Sequence, residues 1–302
     1  MQESANIIIL TVLAAVLFGS GCSTITQIGT AVGEATGKIT ADQAQSINRT
    51  ADAVEKAWQD ITPEDEYRIG RAVAAIILHK YGTSNNEEAN RYLNVLGQIL
   101  AESSDRPETF NGYHFQILTT DEINAFAAPS GFIMVSEGLL RCCRSEDALA
   151  AVLAHEIGHV QGSHGLRAIK AGNYTSALTV VGTEGVKNFG GQDVAQLTKA
   201  FESSISDITG TLMNSGYARA QEREADEAAV KIMQRAGFDP NALVDMLEQM
   251  QKKLKPGGLD FAKTHPAPAD RIKDIRKVLG TAAVGPAPAA RQRRFEKAIG
   301  KL

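Results

Sequence analysis

His155-Glu156-Ile157-Gly158-His159 directly follows an apolar run, Ala148-Leu149-Ala150-Ala151-Val152-Leu153-Ala154. Residues four apart on an α-helix share one face, about 6 Å of rise apart, so both imidazoles can reach the same ion. Glu156 comes one position after the first histidine, where it can meet a water on that ion without ligating the ion. This spacing is typical of zinc hydrolases, in which a metal-bound water is the nucleophile and the carboxylate is its general base.

The residues before this motif predict a buried helix. Ser145 is a suitable N-cap, and Glu146 and Asp147 follow it in the first turn. The body of the helix is almost wholly apolar, which places Glu156 inside the protein, where an uncompensated charge is costly. A bound zinc ion would supply the compensation. The alternative is a surface helix that carries two solvated histidines.

A third ligand is expected, because catalytic zinc usually has three protein ligands and one open position for water. The best candidate is Glu222 in the stretch Gln221-Glu222-Arg223-Glu224-Ala225-Asp226. Asp226 follows one helical turn later and can accept the free ring N–H of a ligand histidine. Glu224 has neither that spacing nor that face and is the weaker ligand candidate. An ordinary charged helix is the alternative. Its ion-pair partners would be Arg219, Arg223 and Lys231.

Separate motifs along the chain resemble those of a known enzyme family. They are Ile61-Thr62-Pro63-Glu64, Asn124-Ala125-Phe126-Ala127-Ala128-Pro129, the His155–His159 helix followed by His164, Tyr217-Ala218-Arg219 ahead of Glu222 and Asp226, and Thr264-His265-Pro266 followed by Arg271. Together they resemble the gluzincin metallopeptidases of the CAAX-prenyl-protease and HtpX-like family, in particular its soluble bacterial envelope (BepA-like) branch. The resemblance runs from about Ile61 to Leu279. It implies one zinc ion per chain on His155, His159 and Glu222, with Glu156 as base.

Two short segments predict strands, Phe115-Gln116-Ile117-Leu118 and residues 125–135, which Pro129-Ser130-Gly131 divides. The remaining periodic segments are helical, so the predicted fold class is α+β and mostly α-helical. A strand rich in Asn, Ala and Pro favours an edge position. In gluzincins the edge strand of a small β-sheet lines the cleft beside the zinc-binding helix, where an extended peptide can add to it. We therefore expect Asn124 and Ala125 to contact the substrate backbone; a plain edge strand is the alternative.

His265 precedes a proline, in a loop ahead of the helix that begins near Asp270. A lone loop histidine is usually solvated, but the resemblance implies that this one lies at the active site and can approach the metal. Two catalytic roles follow for His265: a fourth zinc ligand in a resting form, or a hydrogen-bond donor to the tetrahedral intermediate. Arg271 would be a companion donor or an orienting residue.

The N-terminus resembles a bacterial lipoprotein signal. Residues 7–18 form an apolar run too short for a comfortable membrane span, and Gly19-Ser20-Gly21-Cys22-Ser23 resembles a lipoprotein cleavage site. Lipidated Cys22 would tether the protein to a membrane, and Ser23 favours the outer membrane. Two features depart from the usual lipoprotein signal: residues 1–6 contain no Lys or Arg, and Gly19 stands where leucine is usual. A retained anchor and a freely secreted form are the alternatives.

The chain of 302 residues, 43% hydrophobic and 22% charged, can build one sizeable core with appendages. The expected segments are a signal at 1–22, a tether and helix at 23–60, the zinc metallopeptidase domain at 61–279, and a Pro/Ala linker with a basic, loosely helical tail at 280–302. Residues 165–215 have a weaker pattern, which favours a mobile cover over the cleft; the alternatives are a helical hairpin in the core and a surface that meets membrane or client protein. Adjacent Cys142 and Cys143 are poor disulfide partners and are expected to be buried.

These observations predict a zinc-dependent endopeptidase that cleaves misfolded or misassembled cell-envelope proteins. It would work in the periplasm with a lipid anchor in the outer membrane. The alternative is an envelope chaperone or assembly factor for outer-membrane proteins with a silent zinc site. A net charge of −4 without a basic stripe argues against nucleic acid as a partner, and the sequence carries no signal for an oligomeric state. A prenyl-protein protease is disfavoured because it would need several membrane spans.

Overall fold

The apolar run that ends in the two histidines forms one helix, α4 (Glu146–Gln161), and many other elements pack against it. The structure is a computed structural model that describes residues 61–168, 202–203, 205–253, 264–265, 267–279 and 288–302. From Thr62 onward these residues belong to one compact unit. The expected signal, Cys22, the tether, most of the expected cover and the linker up to residue 287 lie outside the described residues. The expected domain boundaries stay predictions.

Helices make up most of the described chain. They are α1 (Pro63–Tyr81), α2 (Glu87–Glu102), α3 (Glu137–Leu140), α4, α5 (His164–Arg167), α6 (Arg219–Arg235), α7 (Asn241–Lys253), α8 (Pro268–Leu279) and α9 (Ala289–Ile299). The strands are β1 (His114–Leu118), β2 (Ala125–Ala128) and β3 (Phe132–Ser136). A tight helical turn, Pro129–Gly131, joins β2 to β3, and a π-helical turn, Thr211–Ser215, precedes α6. The predicted α+β, mostly helical fold class is confirmed. Within the described ranges, no helix combines the length and the apolar character that crossing a membrane requires.

Capping residues in the sequence set where three of these helices begin. Thr62 Oγ1 accepts the Asp65 N–H at 3.2 Å, and the Asp65 side chain accepts the Thr62 N–H at 3.3 Å, which together start α1. Asn86 caps α2. Ser145 caps α4 by accepting the Ala148 N–H at 3.1 Å, as the sequence predicts. Each cap satisfies N–H groups that the first helical turn leaves without a helical partner.

The sheet has the strand order β1-β3-β2, with β3 parallel to β1 and antiparallel to β2. Within the described residues β2 is therefore an edge strand, as the sequence predicts. Its exit turn depends on Ser130, which lies in the left-handed region (φ 60°) and donates its N–H to Glu66 Oε1 at 3.1 Å. Buried Glu66 is paired with Arg106. This contact ties the end of β2 to α1.

Helices α4 and α6 approach each other closely at Gly158. A Cβ at this position would lie 2.8 Å from the Ala225 carbonyl oxygen, so the approach requires glycine. Gly158 lies three residues after His155, on the same side of α4, and directly precedes His159. The crossing therefore brings α6, with Glu222 and Asp226 on either side of Ala225, to the histidine face of α4.

The C-terminal helix α9 packs against the core, whereas the sequence analysis predicts a loose helix. Phe295 is buried. Arg294 pairs with Glu146 in the first turn of α4, and Arg291 Nη1 lies 3.2 Å from Asp147 Oδ1. The difference arises because basic side chains spaced along α9 find the acidic first turn of α4, a contact between distant parts of the chain.

Candidate metal centre

Three separate segments bring four side chains together that could hold a metal ion. Helix α4 supplies His155 and His159, α6 supplies Glu222, and the segment before α8 supplies His265. One donor atom of each residue lies within 4.8 Å of the others. Their exposed fractions are only 1% to 6%. We call these four residues the metal group.

Distances within the metal group suit a single divalent ion. His155 Nε2 lies 3.1 Å from His159 Nε2, and Glu222 oxygens lie 3.7 Å from the first nitrogen and 3.4 Å from the second. Ligands about 2.1 Å from a tetrahedrally coordinated ion stand about 3.4 Å apart. His265 Nδ1 lies 2.9 Å from Glu222 Oε1. Imidazole nitrogens with one carboxylate are a donor set that zinc takes in proteins, so these residues fit the predicted ion.

Asp226 and Arg271 support the far side of His155. Asp226 Oδ1 lies 2.9 Å from His155 Nδ1, so the ring donates its Nδ1–H to the carboxylate and turns Nε2 toward the metal group. Arg271 donates to both Asp226 oxygens, from Nε at 3.0 Å and from Nη2 at 2.6 Å. Arg271 Nη1 also lies 3.8 Å from Glu222 Oε2. Arg271 therefore has the contacts of an orienting residue, one of the two roles expected for it.

A chain of three side chains lies behind the second histidine: His164, Glu224 and Arg167. His159 Nδ1 lies 2.8 Å from His164 Nδ1, and His164 Nε2 lies 2.9 Å from Glu224 Oε2. Arg167 Nη1 donates to the same Glu224 oxygen at 2.8 Å. Glu224 lies outside the metal group, in line with its weaker standing as a ligand candidate. Residues five apart do not share a helix face, so helical periodicity does not predict the contact between His159 and His164. The only sequence signal for His164 is its place in the set of motifs.

Glu156 is buried and follows His155 on α4. Burial raises the pKa of Glu156; His159 and His265 oppose that shift, and Glu222 adds to it. A carboxylate with a raised pKa is a stronger base than an ordinary glutamate and can more readily accept a proton. This environment fits the general base that the sequence predicts at this position.

The ionisation of His155 and Glu222, two residues of the metal group, favours a cation. Burial, together with nearby Arg271, lowers the pKa of His155 to about 3, so this ring is neutral at pH 7. Burial raises the pKa of Glu222, but the neighbouring His265 and His159 outweigh that effect and hold it well below its ordinary value. Neutral imidazole and ionised carboxylate are the states in which these side chains bind metals.

The predicted substrate-contact residues lie in the covered part of the sheet edge. Asn124 and Ala125 are both buried, and Asn124 Oδ1 accepts the Ala125 N–H at 2.9 Å. Thr264 Oγ1 donates to the same Asn124 oxygen at 3.3 Å. The outward N–H at this end of β2 is therefore already engaged by the neighbouring side chain.

Tyr217 covers the other end of the same edge. Its ring stacks on His159 with centroids 4.3 Å apart, and its hydroxyl donates to the Ala127 carbonyl oxygen at 3.2 Å. Edge strands recruit a further strand through such outward-facing groups. The outward carbonyl oxygen of Ala127 is therefore already engaged by Tyr217.

A cavity of about 240 Å³ borders the metal group between α6 and α8. Its lining consists of Arg219, Glu222, Arg223, Asp270, Arg271, Lys273, Asp274 and Lys277. Because every one of these side chains is ionisable, the cavity admits water and polar groups in preference to apolar side chains.

Comparison with known proteins finds a family and several relatives. Peptidase family M48 matches residues 87–279. The beta-barrel assembly-enhancing protease of Escherichia coli (strain K12) is 28% identical over 247 residues, which cover 80% of this chain and 49% of that protein. The protein of the same name from Yersinia pestis is 30% identical over 243 residues, 78% of this chain and 47% of its own length. The mitochondrial metalloendopeptidase OMA1 of Schizosaccharomyces pombe is 29% identical over 241 residues, 76% of this chain and 65% of its own length.

The region that matches the family contains the metal group. The chain spans about half the length of the beta-barrel assembly-enhancing proteases that it matches. The segment that matches the family is more than half of the chain and contains the whole metal group together with Glu156, Asp226 and Arg271. The resemblance inferred from the motifs is thereby confirmed: the chain belongs to peptidase family M48.

Proposed function

We propose that the protein is a zinc-dependent endopeptidase that hydrolyses peptide bonds with the metal group and Glu156. The observation that carries this proposal is convergence: α4 supplies His155 and His159, α6 supplies Glu222, and the three bury their donor atoms around one point. Burying so many ionisable groups is costly unless a cation binds among them. Membership of a peptidase family and the name of the metalloendopeptidase relative support the same reaction.

Each residue has a defined task in this reaction. His155, His159 and Glu222 would hold the ion, which when bound polarises the scissile carbonyl and lowers the pKa of water. Glu156 removes the proton from the attacking water and passes it to the leaving amine. Asp226 keeps the His155 ring in the orientation that presents Nε2, and Arg271 holds Asp226 in place.

The variant Glu156→Gln tests the reaction. The amide keeps the size of the side chain but cannot accept the proton, so casein cleavage should fall by at least about 100-fold. Metal analysis of the purified variant should still find one zinc ion per chain, because Glu156 is not a ligand. The matched control is Glu227→Gln, an exposed position on α6, which should cleave like the wild type. Wild-type cleavage by Glu156→Gln would contradict the proposal.

His265 is proposed to act at the same centre. Its Nδ1 lies 2.9 Å and 3.0 Å from the two Glu222 oxygens, which favours a resting-state ligand over a donor to the tetrahedral intermediate. We therefore expect His265→Ala to raise peptidase activity, measured with casein, because the variant frees a metal position. A loss of activity would instead support the oxyanion role. Unchanged activity would contradict both roles.

We further propose that the substrates are misfolded or misassembled envelope proteins, and that the protein works in the periplasm on a lipid anchor at Cys22 in the outer membrane. The names of the relatives from Escherichia coli and Yersinia pestis and the signal-like N-terminus support this placement. Asn124 and Ala125 would pair with the substrate backbone once the edge of β2 is uncovered. Labelled palmitate should enter the wild type but not Cys22→Ser, and an unfolded outer-membrane protein should be cleaved by the wild type.

An envelope chaperone or assembly factor with a latent zinc site is the second candidate. Two observations favour it: Tyr217 occupies the outward carbonyl oxygen of Ala127 on β2, and His265 completes the metal group. Rescue of outer-membrane protein assembly in cells separates the two functions. Equal rescue by the wild type and by Glu156→Gln would support the chaperone, and loss of rescue in the variant would support the endopeptidase.

A further inference from the structure

The turn after α4 places His164 directly behind His159. Ser163 adopts the left-handed backbone conformation (φ 51°), which folds the chain back beneath the helix end. A Cβ at Gly162 would lie 2.3 Å from His164 Nε2, so the ring can occupy its position only because residue 162 is glycine. In that position the His164 side chain is fully buried.

A continuous series of contacts then runs from His159 to the protein surface. His159 Nδ1 and His164 Nδ1 are 2.8 Å apart, and His164 Nε2 and Glu224 Oε2 are 2.9 Å apart. The Glu224 side chain is half exposed and is paired with Arg167. The series thus begins at a buried ring of the metal group and ends at a carboxylate in contact with solvent.

When His159 binds an ion through Nε2, one placement of the ring protons gives each contact in this series a donor and an acceptor. The metal-facing nitrogen carries a lone pair, so the proton of His159 is on Nδ1. His164 Nδ1 must accept that proton in a hydrogen bond, which leaves the proton of His164 on its own Nε2. The ionised Glu224 carboxylate can only accept, and it receives this last N–H.

We propose that His164 and Glu224 are positioning residues, which fix the tautomer and the orientation of His159 for metal binding. This inference rests on the proposed metal site. The two ligand histidines then have different supports. His155 donates directly to the carboxylate of Asp226. His159 donates to the neutral imidazole of His164, which in turn donates to the carboxylate of Glu224.

The ring tautomers test the inference on the full-length wild type loaded with Zn²⁺. The chain has six histidines, so nitrogen-15 signals from a histidine-labelled sample can be assigned by single substitutions. His79 and His114 are exposed and serve as references. We expect His159 to carry its proton on Nδ1 and His164 on Nε2. A proton on His164 Nδ1 would overturn the inference.

Zinc affinity, measured by competition with a chelator, gives the second readout. His164→Leu fills a similar space without an acceptor and should weaken Zn²⁺ binding by about tenfold. His164→Asn places an acceptor oxygen near the position of Nδ1 and should recover most of that loss. Glu224→Ala should lose less than His164→Leu, because water can replace a half-exposed carboxylate. Glu227→Ala, on the exposed side of α6, should bind like the wild type.

The outcomes separate this inference from the proposed function. A wild-type chain that binds no Zn²⁺ would overturn the metal site and the positioning role together. A wild type that binds Zn²⁺, with His164→Leu binding equally well, would overturn only the positioning role. Thermal unfolding of the metal-free variants identifies a folding defect; if His164→Leu does not fold, the tautomers of the wild type decide.

Discussion

At the scale of single residues, burial divides the histidines into two sets. The buried set comprises His155, His159, His164 and His265. The exposed histidines lie at positions 79 and 114, away from the metal group. Side chains of one chemical type therefore differ in their surroundings, and within the described residues only the buried set contributes rings to the metal group or to the contacts behind it.

The acidic residues of α6 show the same division. Glu222 faces the metal group and Asp226 faces His155, one helical turn later. Glu224 is about 200° around the helix from Glu222 and contacts His164 instead. These three neighbouring carboxylates thus contact three different partners. Their angular positions around α6 determine which partner each one contacts.

We predict that the metal-free protein loses stability as the pH falls below about 6.5. Burial and Arg271 lower the pKa of His155 from 6.5 to about 3 in the folded state. Unfolding restores the ordinary value, so between these pH values the unfolded chain binds a proton that the folded chain does not. The free energy of unfolding therefore falls with falling pH, by up to about 1.4 kcal/mol per pH unit from this residue.

Urea unfolding of the metal-free protein at several pH values checks this prediction. In His155→Gln the same measurement should give a shallower dependence, because the titrating ring is gone. Stability that stays constant as the pH falls from about 6.5 to about 4 would contradict it, and so would an equal slope in the variant.

At the scale of elements, the crossing of α4 and α6 decides whether the ligands meet. In Gly158→Ala the added Cβ would lie 2.8 Å from the Ala225 carbonyl oxygen, so α6 must shift and carry Glu222 with it. We expect Zn²⁺ affinity to fall by at least about tenfold. The free energy of unfolding of the metal-free protein should fall by about 1–3 kcal/mol.

Gly210→Ala is the matched control for this substitution. Gly210 also has helical backbone angles, and a Cβ there meets nothing within 4 Å. Chelator competition and urea unfolding should find no loss in this variant. If Gly158→Ala keeps wild-type zinc affinity, the close approach of the two helices is not what positions Glu222.

At the scale of the whole molecule, the metal group joins residues that lie up to 110 positions apart, from His155 to His265. The unfolded chain does not hold them together, so an ion that binds this group binds the folded state. We predict that free Zn²⁺ at 100 times its Kd raises the free energy of unfolding by about 2.7 kcal/mol. Thermal unfolding with Zn²⁺ and with a chelator measures the difference, and Glu222→Gln should lose most of the response. Equal stability with and without Zn²⁺ in the wild type would argue against a site within the fold.

The sequence alone determined the central helix and the relation of His155, Glu156 and His159, because a helical repeat places residues four apart on one face whatever surrounds them. Capping residues determined where α1 and α4 begin, and the composition of β2 indicated an edge strand. The same repeat, with the family resemblance, singled out Glu222 and Asp226. These features depend on neighbours a few positions away, so the local sequence contains the information for them.

The tertiary structure supplied the long-range contacts. It placed His164 behind His159, Tyr217 over the edge of β2, and α9 against the start of α4, and it brought His265, which the resemblance had already singled out, to the metal group. Each of these contacts joins residues across a non-helical turn or between distant parts of the chain. Such contacts depend on where helices cross and how the backbone turns, as at Gly158 and Ser163, and no local repeat specifies that geometry.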